Sequence, residues 1–182
     1  MTAYLVLLRG INVGGKNKVP MAELRTLLEA AGFENVSTYI ASGNVFLDSK
    51  LSAAKVAEKI EAALPKAFKL DAKLIRVAVL SAAELEAVVK NRPHGFGGEP
   101  SKYHSDAIFL MGIDAQEAMA VFSPRDGVDK VWPGKGVIYH QRLSAERTKS
   151  RMGRIAATPV YQSLTIRSWQ TTLALLDLMR KR

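Results

Sequence analysis

The sequence predicts an α+β fold of two ferredoxin-like (βαββαβ) halves, each an antiparallel sheet with helices on one face, related by internal duplication. Three observations carry this. Residues 4–80 read strand, helix, strand, strand, helix, strand. The same order returns over residues 106–166. The halves also end alike: Leu74-Ile75-Arg76 precedes a helix holding Leu85, and Thr165-Ile166-Arg167 precedes one holding Leu173 and Leu176. The expected organisation is a first half over 1–80, a helix and linker over 81–104, and a second half with a C-terminal helix over 105–182.

Tyr4–Leu8 is short, apolar and ended by Arg9-Gly10, as a buried strand should be. Pro20 suits a first helical position, Leu24, Leu27, Leu28 and Ala31 keep one helical face, and Gly32 stops the helix. Val36–Ala41 and Val45–Asp48 read as strands joined by Ser42-Gly43-Asn44, a tight hairpin needing positive φ. Ser52 is an N-cap for a helix with Val56, Ile60, Ala63 and Leu64 inward, which Pro65 ends or kinks near its C-terminus. Lys73–Leu80 alternates as a strand. Ser81 caps a helix through Lys90 with Leu85, Val88 and Val89 inward. Asn91–His104 is rich in glycine and proline and has no periodicity, so it reads as the linker.

In the second half Asp106–Met111 is a strand and Asp114 caps a helix to Phe122. Val128–Trp132 and Val137–Gln141 are strands around Pro133-Gly134-Lys135-Gly136. Ser144 caps a helix to Ala156, Tyr161–Ile166 is the last strand, and Ser168 opens the closing helix.

Hydrophobic residues are 48% and charged residues 24% of the 182, a balance that can bury a core. There is no cysteine, which excludes disulfides and thiolate zinc sites and suits a reducing cytoplasm. No apolar run approaches the ~20 residues of a membrane span. Arg9 and Lys16 follow the first apolar run instead of preceding it, so the N-terminus does not read as a signal peptide. The expectation is a complete cytoplasmic protein, a monomer or weak dimer with no membrane partner. The net charge of +9 favours anionic partners: nucleic acid, nucleotide or another phosphate.

The first candidate site is the cationic loop Arg9-Gly10-Ile11-Asn12-Val13-Gly14-Gly15-Lys16-Asn17-Lys18-Val19-Pro20. Gly10 to Asn17 reads G-x-x-x-x-G-K-N, one residue from a nucleotide-binding loop. Asn17 stands where a Mg²⁺-binding hydroxyl is required, and Pro20 starts the helix too late, so nucleotide hydrolysis is not expected. The backbone N–H groups of Gly14 and Gly15, with Lys16 and Lys18, remain suited to a phosphate or carboxylate near the helix N-terminus. Ser42 lacks the G-x-S-x-G context of a nucleophile.

A second basic cluster holds Arg142, Arg147, Lys149, Arg151 and Arg154, with Glu146 the only acid among them. On a helix Arg147, Arg151 and Arg154 share one face, an electropositive ridge suited to nucleic acid. Arg167 and Trp169 sit at the junction of the last strand and last helix, where an arginine can grip an anion and an indole can stack on a base. His94, His104 and His140 show no H-x-x-E-H or H-E-x-x-H spacing, so neither a metal nor a cofactor is expected.

The run Leu7-Leu8-Arg9-Gly10-Ile11-Asn12-Val13-Gly14-Gly15-Lys16-Asn17-Lys18-Val19-Pro20-Met21 resembles the signature of a bacterial family of unknown function numbered 1697. The likeness continues in Thr38-Tyr39-Ile40-Ala41-Ser42-Gly43-Asn44-Val45 and in Thr165-Ile166-Arg167-Ser168-Trp169-Gln170-Thr171. Ser168 and Gln170 stand where the family has asparagines, and Thr148-Lys149-Ser150 follows the family's R-S-K-L-T only loosely. The resemblance implies two ferredoxin-like halves and no particular activity. It selects Arg9, Asn12, Gly14, Gly15, Lys16, Ser42, Asn44, Arg167 and Trp169 as site residues, and Lys18 joins them from the loop. The expected function is binding of an anionic ligand, a phosphate-containing small molecule or nucleic acid. The alternatives are an enzyme on a small phosphorylated or carboxylated metabolite and a protein-interaction module.

Overall fold

The computed structural model describes every residue, 1–182. The first half runs β1 (Thr2–Leu8), α1 (Met21–Ala30), β2 (Glu34–Tyr39), β3 (Asn44–Ser49), α2 (Ala53–Ala67), β4 (Val77–Ser81) and α3 (Ala82–Lys90). Its four strands lie in the order β2-β3-β1-β4, with every pairing antiparallel. Alternation along β1 sends Tyr4, Val6 and Leu8 to one face, where they pack with Leu24 and Leu28 of α1 and Val56, Ile60 and Leu64 of α2. Ser52 caps α2 by accepting the Lys55 N–H.

The second half runs β5 (Tyr103–Leu110), α4 (Ala115–Met119), β6 (Asp129–Gly134), β7 (Val137–Leu143), three 3-10 turns (Ser144–Lys149, Met152–Ala157, Pro159–Ser163), β8 (Leu164–Ser168) and α5 (Trp169–Arg180). Its strand order, β6-β7-β5-β8, repeats the first, again all antiparallel. One face packs Ile108, Ile138 and Leu164 against Ala118 and Ile155. The other carries an aromatic cluster in which Phe96 meets Tyr139 at 5.3 Å and Trp169 at 5.0 Å, both edge to face. Two compact units result: Met1–Leu85 with Leu175–Arg182, and Glu86–Ala174.

Strand register displays the duplication directly. Leu8 pairs with Val77 as Leu110 pairs with Leu164, and Tyr4 pairs with Ser81 as Asp106 pairs with Ser168. Both serines then cap the next helix, Ser81 accepting the Glu84 N–H and Ser168 the Thr171 N–H. This register corrects one expectation. Leu5 faces Leu80 and Ala107 faces Arg167, so the counterpart of Arg167 is Leu80, not Arg76.

Other expectations need correction. Helix α2 continues through Pro65 to Ala67, because a proline in the last turn removes only one bond of the ladder. The strand expected over Lys73–Leu80 spans Val77–Ser81; the chain ahead of it is held at Asp71 and Ala72, whose N–H groups are given to the Asn17 side chain. Tyr103 and His104, placed in the linker, belong to β5 and pair with Leu143 and Arg142. Helix α4 stops at Met119, short of Phe122. The helix expected over 144–156 is absent: the Asp129 carboxylate takes the Ser150 hydroxyl at 2.6 Å and the Arg151 N–H at 2.8 Å, so Arg151 cannot continue a helix from Arg147. The strand expected from Tyr161 begins at Leu164, after the last 3-10 turn.

Candidate functional site

The cationic loop folds as a small hairpin finger. Gly14 and Gly15 have φ of 58° and 75°, the two left-handed residues of a tight turn, and the Lys16 N–H donates to the Val13 carbonyl at 3.0 Å. One step below, the Asn12 N–H donates to the Asn17 carbonyl at 3.1 Å.

Two asparagines fasten the base. Asn12, at φ 54°, sends its Nδ2 to the carbonyls of Val19 and Ala41, both at 2.9 Å, and accepts the Val19 N–H. Asn17, at φ 48°, donates Nδ2 to the Gly10 carbonyl and accepts the N–H groups of Asp71 and Ala72. The Asp71 carboxylate takes the Asn17 N–H in return at 2.7 Å. Asparagine tolerates the left-handed region and carries both a donor and an acceptor, so each residue completes a turn and spans a gap. Asn12 is therefore a bracket that also joins the finger to the neighbouring Ile40–Gly43 turn.

In that turn Asn44 is fully buried and donates to the Tyr39 carbonyl and the Ser42 hydroxyl. Gly43, at φ 83°, admits no side chain: a Cβ there would stand 2.8 Å from Ile11. On the finger Val13, Gly14, Gly15, Lys16 and Lys18 are exposed, and Arg9 at its root is half-buried. Lys16 and Lys18 take part in no ion pair, and the Gly14 and Gly15 N–H groups meet no acceptor of the chain.

The duplicated frame supplies an internal control. In the first half twelve residues separate Leu8 from Met21, while in the second only four separate Leu110 from Ala115. Gly10 and Gly112 both turn with positive φ, 68° and 74°, and an isoleucine follows each. The second half then enters its helix at the Asp114 cap. The finger is thus an addition that the fold does not require for this connection.

Arg167 and Trp169 belong to the second unit, whereas Arg9, the finger and the turn belong to the first. Arg167 is buried and its Nη1 donates to Thr165 Oγ1 at 3.0 Å and the Ile166 carbonyl at 2.8 Å. Burial pulls its pKa down to about 10, which still leaves it charged at neutral pH. Trp169 is 5% exposed in the aromatic cluster, with Gly97 against its ring. It is a core residue, and base stacking would require its displacement.

The basic residues 147–154 lie on consecutive 3-10 turns, so no single helical ridge forms. Arg147 and Arg154 are exposed, Lys149 pairs with Glu146 at 2.6 Å, and Arg151 lies half-buried with its Nε shielded and without a hydrogen bond.

A polar network in this unit was not foreseen from the sequence. His104 Nε2 lies 2.9 Å from Asp106 Oδ1, Asp106 Oδ2 lies 3.7 Å from His140 Nδ1, and His140 Nε2 lies 3.3 Å from Asp129 Oδ1. His140 is 1% exposed. Burial pushes the Asp129 carboxyl up, but hydrogen bonds from the Arg151 and Arg125 N–H groups, Ser150 and His140 outweigh it and hold the pKa below the ordinary carboxylate value. Asp129, His140 and Arg151 line a shallow open cleft with Phe122, Pro124 and Val131. The Asp106–His140 pair occupies the register position of the apolar Tyr4–Leu47 pair in the first half. The available signal was period-two spacing, which puts His104 with Asp106 and His140 with Arg142 on one sheet face. The His, Asp and Glu residues form no cluster of three or more suited to a metal ion. No helix is long and apolar enough to cross a membrane.

A family model described as "Protein of unknown function (DUF1697)" matches residues 1–139, which include the finger and the Ile40–Gly43 turn. Among solved structures the chain is similar to "conserved bacterial protein SP0830 from Streptococcus pneumoniae", with a TM-score of 0.80, 29% identity and coverage of 99% of each chain. No curated protein matches the chain.

Proposed function

The chain belongs to the DUF1697 family of proteins of unknown function, and from that premise we propose that it is a binding module whose finger, Asn12–Asn17, holds an anionic ligand. One observation carries the reading: the duplicate half makes the same strand-to-helix connection without a finger. A longer connection ordered by two asparagine brackets, and exposing Lys16, Lys18 and two glycine N–H groups, supports a binding role over a spacer. Donors held in place before the ligand arrives lose little entropy on binding. Arg9 and Ser42 are assigned to the surrounding rim, buried Asn44 to holding the turn from within, and Arg167 to a supporting role in the second unit. The duplication is taken to run from β1 to β4 and again from β5 to β8, and the protein is taken as cytoplasmic.

The test is a titration with inorganic phosphate, citrate and a single-stranded oligonucleotide at two salt concentrations, repeated on Lys16→Ala with Lys18→Ala. The wild-type protein should bind at least one of these anions, and the double variant should lose most of that affinity. Unchanged binding in the double variant would sink the assignment to the finger. A second reading rests on exposed Arg147 and Arg154, which favour nucleic acid on the 3-10 turns. It requires oligonucleotide affinity that falls steeply with salt and is lost in Arg147→Ala with Arg154→Ala. An enzyme on a small phosphorylated or carboxylated metabolite would instead be stabilised by one or two related compounds.

A further inference from the structure

The finger and the turn beside it hold two aliphatic side chains out in solvent. Val13 is 66% exposed and Ile40 is 51% exposed. The segments that carry them adjoin: Asn12 Nδ2 donates to the Ala41 carbonyl at 2.9 Å, with Val13 next in the chain to the one residue and Ile40 to the other. Ile40 is also strained. Its φ is 49°, a left-handed conformation that costs a β-branched residue about 1–3 kcal/mol. Asparagine or glycine would occupy that turn position with less strain, and asparagine does so at positions 12, 17 and 35 of this chain. Ile40 lies outside the buried core, with about half of the residue in water.

Cationic and aliphatic groups therefore stand exposed on two adjoining segments, the finger and the turn fastened to it. Lys16, Lys18 and the Gly14 and Gly15 N–H groups suit an anionic group, while Val13 and Ile40 suit apolar surface next to it. Inorganic phosphate would gain nothing from the two aliphatic side chains. We propose that the ligand of the finger is an amphiphilic organic anion, a carboxylate or phosphate monoester whose apolar body lies on Val13 and Ile40. This rests on the anion-binding reading above and narrows it to a chemical class.

The experiment compares methyl phosphate with butyl phosphate, and acetate with hexanoate, by ligand-observed NMR titration of the full chain. The longer member of each pair should bind about tenfold more tightly, as partial burial of its added methylene groups implies. In Ile40→Asn the ratio should fall toward one. The same variant should also show a raised unfolding midpoint, because asparagine relieves the strained turn. Equal affinity within both pairs would overturn this inference and leave anion binding intact. No binding by any of the four would overturn this inference too, and the titration with inorganic phosphate, citrate and the oligonucleotide then decides whether the finger holds an anion at all. A lowered midpoint in Ile40→Asn would show that the fold itself uses the isoleucine side chain, and that too overturns the inference.

Discussion

Arg182 and Asp48 lie 134 positions apart in the chain and meet at 2.9 Å. The guanidinium also donates to the Asn35 carbonyl and the Ser37 hydroxyl, and sits 5.7 Å from the centre of the Phe46 ring. A residue of the C-terminal segment thus fastens β2 and β3. Burial pushes the Asp48 carboxyl up, but hydrogen bonds from Asn35 and Arg182 and the charge of Arg182 prevail, leaving its pKa below 3.8. A depressed carboxylate contributes stability above its unfolded pKa and loses it as the pH falls through the folded value. Arg182→Ala should cost about 1–2 kcal/mol at neutral pH in urea unfolding. The difference from wild type should shrink in acid below the ordinary carboxylate range.

Asp129 governs the conformation of residues 144–157. Its oxygens accept from Ser150 Oγ, the Arg151 N–H and the Arg125 N–H, and His140 stands beside them. Asp129→Asn keeps the shape but loses the charge and one acceptor oxygen. The expected cost is about 2–3 kcal/mol. Amide exchange should accelerate first at Arg151 and Arg125. The Asp129 pKa is also depressed, so in wild type the same protection should fade as the pH drops through its folded pKa, below 3.8.

Asn17 combines two roles that separate by substitution. Asn17→Ala loses the bonds to Gly10, Asp71 and Ala72 and places a Cβ residue poorly suited to φ 48°. Asn17→Gly loses the bonds alone. Alanine should cost about 2–3 kcal/mol and glycine about 1 kcal/mol less, measured by thermal unfolding. In both variants the Asp71 and Ala72 amides should exchange faster. If glycine proves as costly as alanine, the bonds and not the backbone conformation carry the effect.

Two glycines of the second unit form a matched pair. Both have positive φ, 75° at Gly97 and 71° at Gly136. A Cβ on Gly97 would lie 2.4 Å from the Trp169 ring, while one on Gly136 meets nothing within 4 Å. Gly136→Ala should cost about 1 kcal/mol from backbone strain alone, and Gly97→Ala about 2–4 kcal/mol because the indole must also move. The unfolding midpoints of the two variants separate these contributions.

The parts of the fold that were legible in the sequence are those set by local chemistry. Helical and period-two spacing located the two sheets and α1, α2 and α5, and Ser52, Ser81, Asp114 and Ser168 are caps as their positions suggested. What misled was tertiary. Residues 144–156 begin with a serine suited to a cap and keep helical spacing, yet a carboxylate from β6 takes the hydrogen bonds that a helix would need. At the candidate site the finger was visible as Gly14-Gly15 beside lysines. Its support was not, because Asn17 and Asp71 are 54 positions apart. The asparagine that marked the loop as a poor nucleotide site is the residue that anchors it. The His140 network was equally hidden, since register pairs it with Asp106 across two strands.

The first compact unit is not continuous in the chain: Leu175–Arg182 complete what Met1–Leu85 begin. During synthesis the eight residues that finish this unit emerge only after the second unit has been made. The N-terminal sheet therefore leaves the ribosome without the arginine that fastens β2 and β3. Until translation reaches Arg182, β2 is held only by its ladder to β3 and by the packing of Val36 in the first core. A chain clipped just before Arg182 would keep the β2–β3 ladder and lose the guanidinium that joins Asn35, Ser37 and Asp48.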